Sequence, residues 1–158
     1  MTVVPYKGVL TASSPVKSLV KGRKRWGGRN NAGRISTRHQ GGGHKQRYRY
    51  VDFVYDKKDI PGRIETVEYD PNRSGFIGSL IYADGERRYV LLPKTVKVGQ
   101  SVLVSERAPV EAGNRLPLGR IPVGTFVFNI ELQPGRGAVL VRSAGNYAEV
   151  IAHDAGYT

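Results

Sequence analysis

The chain has 158 residues, of which 39% are hydrophobic, a formal net charge of +12 and no cysteine. This length allows one ordinary domain or two small ones, and the lack of cysteine excludes a disulfide framework and a thiolate metal site. So large a positive surplus favours a polyanionic partner, which composition alone leaves open between a nucleic acid and a membrane surface.

The sequence contains neither a secretory signal nor a membrane-spanning run. The first ten residues, MTVVPYKGVL, lack the charged and then apolar order of a signal peptide. No segment approaches the roughly 18 consecutive apolar residues that a spanning helix needs. We therefore expect a protein that acts inside a cell and has no membrane partner.

The positive charge is confined to the first third of the chain. Residues 1–50 contain five Lys, seven Arg and no acidic residue, whereas residues 51–158 contain 13 basic and 13 acidic residues. An acid-free, glycine-rich block cannot bury enough apolar surface to order itself, so residues 1–46 are predicted to form an irregular basic extension that becomes ordered on a partner. A nucleic acid is the favoured partner. An organellar transit peptide or a solvated tail without function are the alternatives, and the glycines of residues 27–43 disfavour the helix that a transit peptide forms.

The residue types of the extension suit RNA. The guanidinium groups of Arg29, Arg34 and Arg38 can contact phosphates with two donors at once. Asn30 and Asn31 offer neutral donors for sugars and base edges. These side chains are therefore candidate nucleic-acid contacts.

Aromatic residues in and beside the extension allow two interpretations. Trp26, Tyr48 and Tyr50 could stack on unpaired bases. Tyr48 and Tyr50, however, alternate with Arg47 and Arg49, which is typical of a strand with one buried face. Core packing is the favoured interpretation for both tyrosines.

The pattern GGGHKQ at residues 41–46 resembles a phosphate loop but lacks its chemistry. Gln46 follows Lys45 where the loop needs a hydroxyl residue to hold Mg²⁺. His39 and His44, with His153 far along the chain, could be imagined as zinc ligands, but the chain has no cysteine and no acidic residue lies in the extension to complete a site. We predict that His39 and His44 contact RNA or solvent.

No constellation of catalytic residues is recognisable. A Ser, His and Asp set in a context such as G-x-S-x-G is missing, and Glu65 and Glu68 are expected to balance surface charge beside Arg63. The sequence predicts no enzyme, no metal site and no cofactor.

From residue 47 onward the sequence predicts short strands. Residues 47–55 and 62–70 alternate in polarity, two apolar runs in residues 75–92 flank the hairpin signal Asp84-Gly85, and residues 101–105 form the fifth candidate. No stretch keeps a helical apolar period over about ten residues. The predicted fold class is all-β, and five strands in residues 47–105 suit a small barrel like the oligonucleotide-binding (OB) fold.

A second strand group is predicted after an irregular connection. Residues 106–123 are rich in Pro and Gly and connect the first group to residues 124–158. The candidate strands there are residues 124–132, 137–143 and 146–153. Three strands make an incomplete barrel, so we expect this part to be unstable alone.

Two arginines lie at bends where a strand ends. Arg73 follows the turn-forming residues 70–72 in YDPNRSG, and Arg142 begins the bend of RSAGN after an apolar strand. Such bends present a side chain at the rim of a barrel. The pattern alone fits a binding residue or a solvated loop arginine.

Five motifs, in this order and spacing, carry a resemblance to a known family: GGRNNAGRISTRHQGGGHKQ, YDPNRSG, DGERRYVLLP, IPVGTFVFNIE and RSAGNYAEVIAHD. With them, residues 26–158 closely resemble the universal large-subunit ribosomal protein family conventionally numbered two, while residues 1–25 match less well. The resemblance implies a basic N-terminal extension, an OB-like barrel and an SH3-like barrel, which is incomplete in this chain. It also implies a structural ribosomal protein that binds large-subunit rRNA, supports assembly and subunit joining, and lies near the peptidyl-transferase region.

The resemblance identifies Arg73 and Arg142 as family-type rim arginines that hold RNA. The full set of expected rRNA-binding residues is Arg29, Asn30, Asn31, Arg34, Arg38, His39, His44, Lys45, Arg47, Arg73, Arg88 and Arg142.

The expected partners are large-subunit rRNA and neighbouring ribosomal proteins, on a ribosome of a bacterial cytoplasm or of a mitochondrial or plastid matrix. Family members continue past the position of Thr158, so a second chain that completes the SH3-like barrel is a further expected partner unless the sequence is a fragment. Two other functions remain open: a free-standing RNA chaperone or single-strand-binding module, which would bind many sequences alike, and an enzyme with an unrecognised site.

Overall fold

The computed structural model describes residues 6, 8–12, 14–22 and 25–158. Part of the predicted basic extension lies outside the described residues, namely residues 1–5, 7, 13, 23 and 24.

Within the described residues the chain is almost purely β, which confirms the predicted fold class. The strands are Val20–Gly22 (β1), Arg47–Arg49 (β2), Gly62–Glu68 (β3), Ile77–Tyr82 (β4), Arg87–Leu91 (β5), Ser101–Val102 (β6), Phe126–Val127 (β7) and Ala148–Glu149 (β8). Two single-turn 3₁₀ helices lie at Lys17–Leu19 and Leu118–Arg120. No helix in this part of the chain has the length and apolar character needed to cross a membrane. The curled sheets are consistent with the expected OB-like and SH3-like arrangement.

The central sheet has four antiparallel strands in the order β5-β4-β3-β6. The β4–β5 hairpin turns at Asp84-Gly85 as predicted, with Gly85 at a φ of +85°. A register shift between Ile64 and Thr66 interrupts the pairing of β3 with β4, as a β-bulge does, and a bulge bends the sheet.

The central sheet is covered on both faces. Ile64, Leu80 and Val90 lie in one apolar cluster. Ile77 and Tyr89 belong to a second cluster against which partly buried side chains from the N-terminal part and from residue 128 pack. Because successive residues of a strand point to opposite faces, neighbours such as Tyr89 and Val90 contribute to different clusters.

The first predicted strand of this group, residues 47–55, is divided in the structure. β2 pairs with β1 in a separate antiparallel ribbon, and only Val51 bridges to Tyr89 of β5. The carboxylate of Asp52 ends the extended run because its Oδ1 accepts the N–H groups of Val54 and Tyr55 at 2.9 and 3.0 Å. The five predicted strands are present as β2–β6, but they do not form one continuous sheet.

The second strand group is attached to the first by backbone and side-chain contacts. β7 pairs with β8. The prediction of a strand at residues 137–143 is wrong, because Leu140 is the single residue of this segment that forms a β-bridge, and its partner is Ile130. Val141 has a φ of +55° and its hydrogen-bond partner Asn129 a φ of +57°, which interrupts an extended strand on both sides. The Asn129 side chain donates to the Tyr55 hydroxyl at 2.9 Å.

Candidate nucleic-acid interface

The basic extension contains a tight hairpin. Arg29 and Ile35 form an antiparallel bridge, and the Asn30 N–H donates to the Arg34 carbonyl at 2.9 Å. The Asn30 side-chain oxygen in turn accepts the Arg34 N–H at 3.0 Å. The hairpin is therefore held by local hydrogen bonds. The side-chain oxygen of Asn30, one of the two candidate asparagines, is already hydrogen-bonded within the protein.

Gly28 allows the two sides of this hairpin to approach closely. Its carbonyl accepts the N–H groups of Ser36 and Thr37 at 2.9 and 3.1 Å, and its φ is +73°. A Cβ atom at this position would overlap the Thr37 carbonyl oxygen. Only glycine satisfies both the positive φ and the close backbone contact.

A second loop of the extension is closed by an arginine. Gly41–Gly43 all have positive φ values, of +101°, +68° and +70°. The guanidinium of Arg25 spans this loop by donating to the Gly42 carbonyl and, at 2.8 Å, to the His44 carbonyl. Because the three glycines have no side chains, the backbone of this loop is held by the side chain of Arg25.

The predicted contacts of the extension are all exposed. They are Arg29, Asn30, Asn31, Arg34, Arg38, His39, His44, Lys45 and Arg47. The first carboxylate of the chain is Asp52, and the salt bridges among the described residues all lie between residues 52 and 131. The positive potential of the extension is therefore not neutralised within the described chain.

The YDPNRSG loop is organised around Asp70, whose side chain is 0% exposed. One carboxylate oxygen accepts both the backbone and side-chain N–H groups of Asn72 at 2.9 Å, and the other accepts Nε of Arg73 at 2.5 Å. The Asn72 amide also donates to the Arg47 carbonyl at 2.9 Å. This loop is thereby joined to the end of the basic extension.

The two predicted rim arginines are brought together at one aromatic ring. The guanidinium carbon of Arg142 lies 3.7 Å, and that of Arg73 5.5 Å, from the ring centroid of Phe53. The Ala144 N–H donates to the Ser74 hydroxyl at 3.0 Å, so the loops that carry the two arginines also touch. We call Arg73, Arg142 and Phe53 the rim cluster.

Arg88 lies in a different environment. Its guanidinium donates to Asp52 at 2.9 Å, to Glu86 at 2.7 Å and to Asp56. The hydrogen bond to Asp56 is the largest of the effects that raise the pKa of Arg88 above its ordinary value. Since its donors point at carboxylates of its own chain, these surroundings disfavour the predicted RNA contact of Arg88, which stays a prediction.

Sequence reasoning placed the polar and aromatic residues of β2 on the wrong faces. Tyr48 and Tyr50 are exposed, so the prediction of core packing is wrong, and Arg49 between them is buried. Arg49 lines the same cleft as the buried carboxylate of Glu68, which favours a cation on the inner face of the strand. Alternation revealed two faces but not which one turns inward.

Glu68 also departs from its predicted role. It is 4% exposed, and its carboxylate accepts the hydroxyls of Tyr89 at 2.7 Å and Thr66 at 3.0 Å. The expected balance of surface charge is therefore wrong for Glu68. Glu65 does lie at the surface, but it pairs with Arg87 at 2.8 Å rather than with Arg63.

The described residues contain no group of three or more His, Asp or Glu side chains placed to hold a metal ion.

Comparisons with known proteins agree with the motifs. The model described as the RNA-binding N-terminal domain of ribosomal proteins L2 matches residues 16–104, and the model of their C-terminal domain matches residues 111–158. The large ribosomal subunit protein uL2 of Granulibacter bethesdensis is 51% identical over 156 residues, which are 99% of this chain and 56% of the relative. Its counterpart from Thioalkalivibrio sulfidiphilus is 56% identical over 145 residues, 92% of this chain and 53% of the relative. The chain spans about half the length of these curated relatives.

Proposed function

Because this chain belongs to the ribosomal protein L2 family, we propose that it is a non-enzymatic structural constituent of the large ribosomal subunit and binds large-subunit rRNA. The family predicted from the motifs is confirmed. The relatives named above are large ribosomal subunit proteins, and this proposal extends their role to the present chain.

The observation that carries the proposal is the convergence of two distant arginines on Phe53, beside the end of the basic extension. A guanidinium that stacks on a ring keeps its in-plane N–H donors available at its edge, where a phosphate can accept them. Stacking also restricts side-chain motion, so less entropy is lost when the phosphate binds. The rim cluster would thus fix the register of the protein on RNA.

The extension supplies the larger, less specific part of the affinity. Its cations repel one another until phosphates neutralise them, and each neutralised phosphate releases counterions. If about eight cations contact phosphates, the slope of log K against log salt is roughly −6 to −7, with a single-strand coefficient of about −0.7 per contact. The hairpin and the glycine loop would order further as they enter the RNA.

The finer roles follow from the family. We propose that the protein supports subunit assembly and subunit joining and lies near the peptidyl-transferase region, with neighbouring ribosomal proteins as partners. The relatives named above come from bacteria, which supports a ribosome in a bacterial cytoplasm. A ribosome of a mitochondrion or plastid is the alternative location.

Crosslinking of the native protein to RNA, followed by sequencing, tests the proposal. We expect enrichment of one large-subunit rRNA site and co-purification of large-subunit proteins. Diffuse crosslinks across unrelated RNAs, without ribosomal proteins, would instead favour a free-standing RNA chaperone.

A matched pair of variants separates the rim cluster from net charge. Arg142→Ala removes a stacked arginine, whereas Arg136→Ala removes an exposed arginine of the same strand group. Arg142→Ala should lower affinity for the rRNA site by roughly tenfold, the loss expected for one charge-assisted contact, and Arg136→Ala should have little effect. Equal losses would mean that only overall charge matters.

A further inference from the structure

The outer face of the β1–β2 ribbon carries two tyrosines whose rings meet solvent. Tyr48 and Tyr50 are 38% and 47% exposed. Their ring centroids lie 5.5 Å apart, and the ring planes are inclined by 87°. In such an edge-to-face pair neither ring covers both faces of the other, so π surface is left for a third ring.

Cations frame this aromatic pair. Lys21 is the register partner of Tyr48 across the ribbon, and directly opposed residues place their side chains on the same face. Lys45 and Arg47 precede the pair and are exposed, but alternation along β2 places Arg47 on the other face of the strand. No acidic residue occurs in the chain before Asp52. The face therefore suits a ligand that is both anionic and aromatic.

An exposed aromatic pair elsewhere in the chain has a carboxylate as its register partner, where Tyr48 has Lys21. Phe126 and Tyr147 have centroids 4.9 Å apart with planes inclined by 74°, and both are more than 60% exposed. The register partner of Phe126 is Glu149. The carboxylate of Glu149 beside this pair repels phosphates. The two aromatic pairs therefore have similar ring geometry but neighbours of opposite charge.

We propose that Tyr48 and Tyr50 form a stacking site for unpaired RNA bases, with Lys21 contacting a flanking phosphate. The inference rests on the proposed function and adds the kind of RNA element that this part of the protein binds. Bases within a continuous helix have both faces covered by their neighbours, whereas bases of a single strand, loop or bulge offer a free face to an aromatic side chain. The occupant is therefore a locally unpaired segment.

Fluorescence titration of the full chain tests the site. The probes are a single-stranded RNA of about 12 nucleotides that contains 2-aminopurine, and a fully paired duplex of similar length. The test variant combines Tyr48→Leu with Tyr50→Leu. Two control variants are needed. Tyr48→Phe with Tyr50→Phe keeps both rings, and Phe126→Leu with Tyr147→Leu removes the aromatic pair that lies beside Glu149.

The wild type should bind the single strand and quench the 2-aminopurine. The Tyr48 and Tyr50 leucine variant should lose roughly ten- to a hundredfold in affinity, together with the quenching. Its salt slope should not change, since no phosphate contact is removed. The phenylalanine variant and the Phe126 and Tyr147 variant should both bind like the wild type.

Three outcomes would overturn the inference: wild-type affinity and quenching in the leucine variant, an equal loss for the duplex, or failure of the wild type to bind the single strand while it binds large-subunit rRNA. Failure to bind any of these RNAs would overturn the proposed function as well.

Discussion

Arg142 stacks on Phe53, with the guanidinium carbon 3.7 Å from the ring centroid. Phe53 is itself held by its backbone, because its carbonyl accepts the Ala138 N–H at 2.8 Å. The ring therefore couples the position of Arg142 to the segment that precedes β3.

Replacement of Phe53 by leucine should weaken rRNA binding without unfolding the protein. The aliphatic side chain fills most of the partly buried site but removes the π surface on which Arg142 lies. A cation–π contact at such a site is worth about 1 kcal/mol, so we expect a roughly fivefold loss of affinity. Filter binding to large-subunit rRNA measures this loss.

Phe128→Leu is the control for Phe53→Leu. Phe128 packs on the same apolar cluster as Phe53, whereas Arg73 and Arg142 lie over the ring of Phe53. Phe53→Tyr should restore binding, and a loss equal to that of leucine would exclude the stacking role.

Arg73 and Arg142 should differ in their effect on stability. Arg73→Gln leaves the fully buried Asp70 carboxylate without its charged partner, which should lower the free energy of unfolding by about 2–4 kcal/mol. Arg142→Gln removes a surface stacking contact and should cost less than about 1 kcal/mol. Urea unfolding of both variants measures the difference. Similar values would show that Asn72 alone compensates the Asp70 charge.

Two glycine substitutions should separate a backbone clash from simple strain. Gly28→Ala and Gly33→Ala both place alanine at a positive φ, but only Gly28 has a backbone atom in the way. Strain alone costs about 1 kcal/mol. We expect Gly28→Ala to lose the hydrogen-exchange protection of the Ser36 and Thr37 amides and to weaken rRNA binding several-fold more than Gly33→Ala. The apolar clusters should keep their protection, because the hairpin is exposed. Equal protection in both variants would contradict the close approach.

The sequence predicted the elements whose cause is local. The Asp84-Gly85 hairpin follows from its turn residues and the five candidate strands of residues 47–105 from alternation, and these are present. The exposure of residues 29–46 follows from their lack of acidic residues and their few apolar ones, whereas Val16 and Leu19 of the same extension pack on the cluster of Ile77 and Tyr89, contrary to the predicted irregular extension.

The errors concern contacts between distant segments. The inner face of β2 holds Arg49 beside the cleft that the Glu68 carboxylate also lines, and local alternation cannot reveal a group that belongs to another strand. The resemblance implied that Arg73 and Arg142 hold RNA, but neither their convergence nor their shared contact with Phe53 was predicted. The break in residues 137–143 coincides with positive φ values at Val141 and at its hydrogen-bond partner Asn129, and a β-branched residue such as Val141 rarely adopts such a φ.

Alkaline pH should unfold the protein through three buried tyrosines. Burial raises the pKa values of Tyr55, Tyr82 and Tyr89 above their ordinary value, and in Tyr89 the hydrogen bond to Glu68 adds to the effect. Because the folded state holds these protons more tightly, their contribution to stability is complete below the unfolded pKa of about 10 and is lost as the pH rises above it. The absorbance of ionised tyrosine, followed together with circular dichroism, should show these three ionising only as the fold is lost. Their ionisation before any loss of the fold would contradict the stated burial.

Arg88→Gln should affect stability more than rRNA binding. Arg88 joins Asp52, Asp56 and Glu86, and its hydrogen bonds hold the pKa values of Asp56 and Glu86 below their ordinary range. Carboxylates with lowered pKa values stabilise the fold above the unfolded pKa of about 4 and lose that contribution as the pH falls through the folded value. At neutral pH the variant should therefore unfold at a lower urea concentration than the wild type. The difference should shrink below about pH 4.

Arg87→Gln is the matched control for Arg88, because Arg87 is the preceding residue of β5 and pairs with a single carboxylate, that of Glu65. Both variants remove one positive charge. If the donors of Arg88 are engaged within the protein, the two variants should lower rRNA affinity equally and reduce the salt slope equally. A larger loss of affinity in Arg88→Gln, with a slope reduced by about one contact more, would mean that Arg88 leaves its carboxylates to bind phosphate, as predicted from the sequence.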